Sequence, residues 1–283
     1  MKISAAEIRR AVRAALAEDL GGGDVTSLAT VPAAARSRAV MRAREPLVVA
    51  DLALAVAAFR QLSRKVEINV RSRDGQTLAA GGVLLEVAGP ARALLGAERV
   101  ALNFIQHLSG VATSTAQFVT AVRGTPAQIL DTRKTTPGWR RLEKYAVICG
   151  GGKNYRLGLN DMILIKDNHL AALRNEKPNA VAAAVARARA RYPRLQVEVE
   201  ADTLAQVAQA VAAGADIILL DNMSPARLRQ AVKLVAGRAR TEASGGVNLR
   251  TVRGIAATGV DYISVGAITH SARAVDIGLD FSA

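Results

Sequence analysis

The chain has 283 residues, about twice the length of a usual domain, and carries 38 Lys and Arg against 24 Asp and Glu, a formal net charge of +14. Its hydrophobic content of 50% excludes a disordered chain, and its single cysteine, Cys149, excludes a disulfide framework and a multi-cysteine zinc site. Residues 1–13 are too charged for a secretory signal, and no run approaches the ~18 apolar residues of a membrane span. We therefore expect a soluble cytoplasmic protein.

The first 110 residues are predicted to form a small α/β domain. The spacing predicts an amphipathic helix over residues 4–17, with Ser4 as its N-cap and Glu7 completing a capping box. Alternating apolar and polar residues predict antiparallel strands, which we place in segments 36–44, 65–72 and 83–87. A long helical pattern over residues 91–122 then leads out of this domain.

From about residue 128 the chain alternates short strand-like runs with amphipathic, alanine-rich helical patterns. The runs cover residues 128–130, 162–165, 196–199, 216–220, 240–243 and 262–265. The helical patterns between them cover residues 139–149, 179–190, 203–213, 225–236 and 249–257. Such alternation is typical of βα units and a parallel sheet. It predicts either a (β/α) barrel with fewer than eight strands or an open doubly wound sheet.

Polar residues or glycines follow the carboxyl end of nearly every predicted strand. They are residues 131–134, 166–169, Glu200, 221–222, 244–246 and 266–267. Parallel α/β folds place their chemistry at this edge of the sheet, and a random scatter of charges would not favour one end of the strands. The pattern therefore predicts one site at the carboxyl edge.

Several cations lie at this predicted edge. Arg133 and Lys134 follow the first strand and suit a carboxylate or phosphate ligand, although pairing with surface acids is the structural alternative. Residues 150–152 are three glycines, which allow backbone amides to approach an anion or simply form a flexible loop. Lys166 ends the next strand and needs an anionic partner if it is buried, whereas His169 is as readily explained by a local hydrogen bond.

Two carboxylates and two glycine turns complete the predicted site. Glu200 and Asp221 end successive strands, where oxygen-only ligation would suit Mg²⁺ held partly through substrate phosphates, or where each caps the next helix. The turns at residues 244–246 and 265–267 predict a phosphate cradle of backbone N–H groups. With no nucleophile–base pair, the set favours a phosphorylated substrate that reacts through a charge-separated transition state.

The excess positive charge has three ordinary explanations: a nucleic acid, an acidic membrane surface or a small polyanionic substrate. Nucleic-acid binders usually concentrate Lys and Arg in a tail or on one face and add aromatic residues for stacking. Here the basic residues are spread along the chain and only 3% of residues are aromatic. A substrate rich in phosphate and carboxylate fits better, and a nucleic-acid-binding protein is the alternative from another class.

These motifs resemble those of the quinolinate phosphoribosyltransferases, also called carboxylating nicotinate-nucleotide pyrophosphorylases. The matching segments are EDL (18–20), GDVT (23–26), ERVALNFIQHLSG (98–110), DTRKTTPG (131–138), EKY (143–145), GGG (150–152) with Asn154 and Arg156, KDNH (166–169), EVE (198–200), LDN (220–222) and SGG (244–246). The resemblance extends over essentially the whole chain. A paralogue of the same fold associated with molybdenum metabolism is the nearest rival, and the retained KDNH and Arg133-Lys134 argue against it.

The resemblance implies an α/β fold with an N-terminal α/β sandwich domain over residues 1–110 and an incomplete six-stranded (β/α) barrel over residues 111–283, whose C-terminal tail packs back on the first domain. It implies a glycosyltransferase of the pentosyltransferase class. The implied reaction joins quinolinate to phosphoribosyl pyrophosphate with Mg²⁺ and yields nicotinate mononucleotide, pyrophosphate and CO₂ for NAD biosynthesis. It also implies a homodimer with a site shared across the interface, and neither nucleic acid nor membrane as a partner.

The resemblance also assigns site residues. Those that would line the quinolinate and pyrophosphate pocket are Arg133, Lys134, Arg156 and Lys166, with Arg99 supplied by the neighbouring subunit. Those near the ribose and the metal would be Glu200 and Asp221, which with Lys134 form the catalytic set. The 5′-phosphate cradle would comprise Ser244, Gly245, Gly246, Val265, Gly266 and Ala267, with His270 close by. The family usually has Asn-His-Arg where this chain has Asn154-Tyr155-Arg156, and Tyr155 offers a hydrogen bond to substrate but no positive charge.

Overall fold

The computed structural model describes residues 1–282 and divides the chain into two compact units. The first unit contains residues 1–116, 136–151 and the residues from 271 onward, and the second contains residues 117–135 and 152–270. The units are therefore interleaved along the chain, and the single domain boundary predicted at residue 110 stays a prediction. Among residues 1–282, no helix has both the length and the apolar character needed to cross a membrane.

Helices and strands occur along the whole of the described chain. From the N-terminus they are α1 (Ala5–Leu20), α2 (Val25–Thr30), β1 (Arg36–Ala43), β2 (Leu47–Val48), α3 (Leu52–Leu62), β3 (Glu67–Val70), β4 (Thr77–Leu78), β5 (Val83–Pro90), α4 (Ala91–Ala121), β6 (Gln128–Leu130) and α5 (Arg140–Cys149). They continue with β7 (Ile163–Ile165), α6 (Asp167–Ala172), α7 (Ala180–Arg191), β8 (Val197–Ala201), α8 (Leu204–Ala212), β9 (Ile217–Asp221), α9 (Pro225–Val235), β10 (Arg240–Ser244), α10 (Val252–Ala256), β11 (Tyr262–Ser264), α11 (Ala267–His270) and β12 (Ile277–Ser282).

The first unit is built on a four-stranded antiparallel sheet in the order β12-β1-β5-β3. Alternate residues of β1 point inward, so Met41 is fully buried beside its partner Leu85 in β5, and Phe59 of α3 belongs to the same apolar core. Helix α1 begins at the predicted capping box, in which Ser4 and Glu7 each accept a backbone hydrogen bond from the other.

The second unit is built on six parallel strands in the order β6-β11-β10-β9-β8-β7. Every neighbouring pair is parallel. The strands from β7 to β11 follow one another in chain order, and β6 lies beside β11, so only a pairing of β6 with β7 would be needed to close the ring. The sheet is therefore the predicted incomplete barrel. Its core is aliphatic, with Val199, Ile218 and Ile263 fully buried. All six strands occur where the sequence pattern predicted them, and their ends lie within two residues of the predicted ends. Because the strands are parallel, their carboxyl ends lie at one edge of the sheet.

Candidate active site

A cavity of about 920 Å³ lies at the carboxyl edge of the parallel sheet. The predicted site residues that line it are Arg133, Lys134, Tyr155, Arg156, Lys166, Glu200, Asp221, Ser244, Gly245, Gly246, Gly266, Ala267 and His270. These residues come from loops or strand ends along all six strands, so the structure brings them together around one space. A cavity of this size accommodates a nucleotide-sized ligand.

Two of the predicted residues are not among those that line the cavity. Val265 is 1% exposed and packs in the core directly after β11. Arg99 is exposed on α4, in the first unit, and its predicted contribution from a neighbouring subunit stays a prediction. His169, for which the sequence left two interpretations, accepts a hydrogen bond from the Lys166 backbone at 2.9 Å through Nδ1 and so caps α6.

Four cations line the cavity, and the structure shows how two of them are held. Lys166 Nζ lies 3.3 Å from Glu200 Oε2. Because the Lys166 side chain is 48% exposed, this ion pair is screened by water, and an anionic ligand can replace Glu200 as the partner. Arg156 donates through Nη1 to the Met162 carbonyl at 3.0 Å. The cations therefore present a concentrated positive lining that suits carboxylate and phosphate groups.

The turn after β10, which is the predicted anion cradle, contains two glycines with left-handed backbone conformations. Gly245 and Gly246 adopt φ of +95° and +61°, which residues with a Cβ rarely adopt. A Cβ on Gly245 would lie 2.0 Å from Asn222 Oδ1, so no larger residue fits there unless Asn222 moves. Asn222 itself adopts φ of 51°, and its Nδ2 donates to Asp221 Oδ2 at 2.7 Å. One side chain thus connects the acid after β9 with the glycine turn after β10.

A buried polar network extends inward from the cavity. Tyr155 Oη donates to Glu198 Oε2 at 2.5 Å, and Ser264 Oγ donates to Glu242 Oε1. Glu198 and Glu242 are 0% and 1% exposed, and Asp131 is fully buried at the end of β6. Asp131 accepts hydrogen bonds from Asn154 Nδ2 and from the Tyr155 backbone, both at 2.7 Å. The network thereby connects the loop after Lys153 with strands β6, β8, β10 and β11.

Burial raises the pKa of the Glu198 carboxyl to about 7, although the hydrogen bond from Tyr155 opposes the shift. Burial, followed by the Glu198 charge, raises the pKa of Glu242 well above its usual range. Glu198 Oε1 and Glu242 Oε2 are buried with no donor facing them, and the two carboxyls can hydrogen-bond only when they hold a proton between them. Two adjacent buried acids are therefore not both ionised at neutral pH.

Tyr155 lines the cavity, and its predicted contact with a substrate stays a prediction. Its hydroxyl has one proton, which is donated to Glu198 in this structure. Burial, followed by the Glu198 charge, raises the pKa of the Tyr155 hydroxyl far above its ordinary value. The sequence reasoning also missed Glu242. The position of Glu242 inside a predicted strand of the parallel sheet is the signal that would have identified it, since a charge buried there must be paired or protonated.

The donors at this edge fit a magnesium ion that is held partly by substrate. Glu200 and Asp221 both line the cavity and offer carboxylate oxygens. Among residues 1–282, no three His, Cys, Asp or Glu side chains are grouped to hold a metal by themselves. Mg²⁺ is commonly bound by one or two carboxylates with substrate phosphates and water in its other positions, and two carboxylates beside a phosphate cradle match that pattern.

Comparison with known proteins gives one family over nearly the whole chain. The C-terminal domain model of quinolinate phosphoribosyl transferase matches residues 111–280, and the N-terminal domain model matches residues 24–109. A nicotinate-nucleotide pyrophosphorylase (carboxylating) from Mycobacterium leprae is 47% identical over 278 residues, which cover 96% of each chain.

Solved structures give the same result. The nicotinate-nucleotide pyrophosphorylase of Francisella tularensis superposes with a TM-score of 0.93 at 39% identity, over 99% of this chain and 98% of that one. The nicotinate-nucleotide pyrophosphorylase of Ehrlichia chaffeensis superposes with a TM-score of 0.92 at 42% identity over the full length of both. Both the domain models and the full-length relatives match, and the chain therefore belongs to the quinolinate phosphoribosyl transferase family.

Proposed function

We propose that this chain transfers the phosphoribosyl group of phosphoribosyl pyrophosphate to quinolinate with loss of the 2-carboxylate. The products would be nicotinate mononucleotide, pyrophosphate and CO₂, so the chain would be a nicotinate-nucleotide diphosphorylase (carboxylating) of NAD biosynthesis. Family membership supports this proposal, and so do the names of relatives that match over nearly their whole length. The predicted cytoplasmic location remains part of the proposal.

The observation that carries the proposal is the cation-lined cavity beside a glycine cradle. Quinolinate has two carboxylates and phosphoribosyl pyrophosphate has several phosphate charges, which would repel one another strongly in a site of low dielectric. Arg133, Lys134, Arg156 and Lys166 all line the cavity that would receive them. The cavity therefore provides the positive potential that bringing two polyanions together requires.

In the proposed mechanism, the arginines bind the carboxylates of quinolinate, and the Ser244–Gly246 turn binds the 5′-phosphate through backbone N–H groups. As the bond from ribose C1 to pyrophosphate breaks, the ribose develops positive charge, which Glu200 and Asp221 stabilise from the cavity wall. The pyridine nitrogen then forms the new bond to C1. Its positive charge stabilises the electron pair left at ring C2 when CO₂ departs, and a proton takes the place of the carboxylate.

Glu200 and Asp221 are also the residues that would hold Mg²⁺, which when bound would neutralise charge on the pyrophosphate leaving group. The homodimer and the contribution of Arg99 from a neighbouring subunit belong to the same proposal. The contribution of the chain itself is mainly positioning and electrostatic stabilisation.

The test is a turnover assay with purified protein, quinolinate, phosphoribosyl pyrophosphate and Mg²⁺. We expect pyrophosphate and CO₂ in a one-to-one ratio, and no turnover when nicotinate replaces quinolinate. Pyrophosphate release with nicotinate and without CO₂ would show a different acceptor. Salt-sensitive DNA binding with no turnover would instead support the nucleic-acid alternative.

A further inference from the structure

The buried network behind Tyr155 has no part in the mechanism above, although it adjoins the residues that the mechanism uses. Glu198 is fully buried and is not among the residues that line the cavity, so it cannot touch a substrate directly. Its Oε2 accepts the hydroxyl proton of Tyr155, which does line the cavity. Glu198 therefore acts on binding through its neighbours, by the hydrogen bond from Tyr155 and by the attraction between its charge and Arg156.

The Tyr155 ring is in turn next to the cation that follows it in sequence. The Arg156 guanidinium carbon lies 5.8 Å from the centre of the Tyr155 ring, within the range of a cation–π contact. The Arg156 guanidinium also donates a hydrogen bond through Nη1 to the Met162 carbonyl. The position of the ring therefore helps to determine where Arg156 presents its charge to the cavity.

The loop that carries both residues is fixed at two points. Asp131 accepts hydrogen bonds from the Asn154 side chain and the Tyr155 backbone, which fixes the main chain. Glu198 accepts from the tip of the Tyr155 side chain, which fixes the orientation of the ring. The Ser264 hydroxyl and Glu242 lie beyond Glu198 and complete the network from two further strands. When Glu198 and Glu242 hold a proton between them the network is connected, and connected buried networks restrict side chains to one arrangement.

We propose that Glu198 is a positioning residue that holds the Tyr155 ring through its hydroxyl and so places the Arg156 guanidinium for an anionic pyridine substrate. The inference rests on the proposed function for the identity of that substrate. It does not require Tyr155 to donate a hydrogen bond to the substrate. Residues 198 and 155 then act as one unit, and removing either partner has the same consequence.

The experiment compares Tyr155→Phe, Glu198→Ala, their double variant and Glu198→Gln. We expect Tyr155→Phe and Glu198→Ala each to raise the KM for quinolinate about tenfold, with the KM for phosphoribosyl pyrophosphate changed by less than about twofold. The double variant should be no worse than the worse single variant, because both remove the same interaction. Glu198→Gln keeps an oxygen acceptor for Tyr155 and should stay within about twofold of the unmodified chain.

A matched control is available in the first unit. Tyr145 Oη also donates to a carboxylate, Asp74 Oδ2 at 2.9 Å, but neither residue is among those that line the cavity. Tyr145→Phe therefore loses the same chemical group and should leave the KM for quinolinate unchanged. Additive effects of the two cavity-side variants, or an equal effect of Tyr145→Phe, would overturn the proposal.

A crystal structure of Tyr155→Phe gives a readout that does not depend on turnover. We expect the phenyl ring to rotate and the Arg156 Nη1 to Met162 oxygen distance to increase from 3.0 Å. An unmoved Arg156 would overturn the inference even if Glu198→Ala failed to fold. Absence of quinolinate turnover by the unmodified chain would refute the proposed function instead, and the position of Arg156 in the variant would still decide the role of Glu198.

Discussion

Two tyrosine–carboxylate pairs in this chain share their chemistry and differ in their surroundings. Tyr155 donates to Glu198 in the second unit, and Tyr145 donates to Asp74 in the first unit. Each pair has a second buried acid nearby, Glu242 in one case and Asp51 in the other. Only the group around the first pair includes residues that line the cation-rich cavity, because Tyr155 and Glu242 do so and Tyr145, Asp74 and Asp51 do not.

The second cluster, made of Tyr145, Asp74, Asp51 and Cys149, has large pKa shifts although none of its members lines the cavity. Burial, followed by the Asp74 charge, raises the pKa of Asp51 to about 8, and the same causes raise the pKa of Cys149 to about 12. Asp51 is 2% exposed and caps α3 in a left-handed conformation with φ of 63°. The raised pKa values of Asp51 and Cys149 therefore reflect burial. The cavity and its cations, and not the pKa shifts, distinguish the candidate active site from this cluster.

The largest expected effect comes from removing a cavity cation. Arg133→Ala should lower kcat/KM about a thousandfold, because a bidentate partner of a substrate anion is lost from a site of low dielectric. The measurement is steady-state kinetics with a thermal melt to check that the fold is intact. Arg229→Ala, which removes an exposed arginine of α9, is the matched control and should behave as the unmodified chain. Near-normal activity of Arg133→Ala would remove this residue from the site.

A smaller but still large effect is expected at the glycine turn. Gly245→Ala should weaken binding of phosphoribosyl pyrophosphate about a hundredfold, because the added Cβ would displace Asn222 and strain the cradle. Gly254→Ala is the matched control: it lies in α10 with open space around it and should be neutral or slightly stabilising. Calorimetric titration with the ligand measures both, and equal affinities in the two variants would contradict the cradle.

A third prediction tests the proposed sharing of a site between subunits. Arg99→Ala and Lys166→Ala proteins should each be nearly inactive, and a mixture allowed to exchange subunits should recover about a quarter of normal activity. Recovery follows because half of the random dimers are mixed and each mixed dimer has one complete site. The assay is pyrophosphate release after mixing. No recovery, with exchange shown independently, would mean that Arg99 does not complete the site of another subunit.

The smallest effect on turnover is expected in the first unit, where the change concerns stability alone. The folded pKa of Asp51 lies above its ordinary value of 3.8, so the folded state holds a proton that the unfolded chain releases between about pH 4 and 8. This contribution is complete below about pH 4 and is lost as the pH rises toward 8, by up to about 1.4 kcal/mol per pH unit.

Asp51→Asn is neutral at every pH and should remove that dependence, while Asn tolerates the left-handed backbone. Urea unfolding at pH 5 and pH 8 compares the variant with the unmodified chain. We expect the variant to gain relative stability at pH 8 and its turnover to be unchanged. A parallel pH dependence in both proteins would show that Asp51 is ionised in the folded state.

Much of the fold follows from local pattern. The six short strand-like runs, apolar or alternating, predict the parallel strands because runs too short to be helices, separated by amphipathic helices, are typical of βα units. Helix α3 was missed: nine of the eleven residues in Leu52–Leu62 are apolar, so the segment shows little contrast between an apolar and a polar face. Strand β12 was also missed, because its partner in β1 lies more than 230 residues earlier, at pairs such as Arg38 with Ser282.

The site was predictable where topology alone places residues. Residues at the carboxyl ends of parallel strands must share an edge, so Lys166, Glu200 and Asp221 were expected together. The bond between Tyr155 and Glu198 joins residues 43 positions apart and depends on the direction of two side chains, which no periodicity encodes. The sequence interpretation consequently did not include the bond between Tyr155 and Glu198 and left Glu242 out.

A crystal structure with quinolinate and an unreactive analogue of phosphoribosyl pyrophosphate tests the central claim most directly. Both ligands should occupy the 920 Å³ cavity, with the pyridine carboxylates on Arg133 and Arg156 and the 5′-phosphate on the Ser244–Gly246 turn. Quinolinate bound elsewhere, or bound with its carboxylates away from these arginines, would contradict the account.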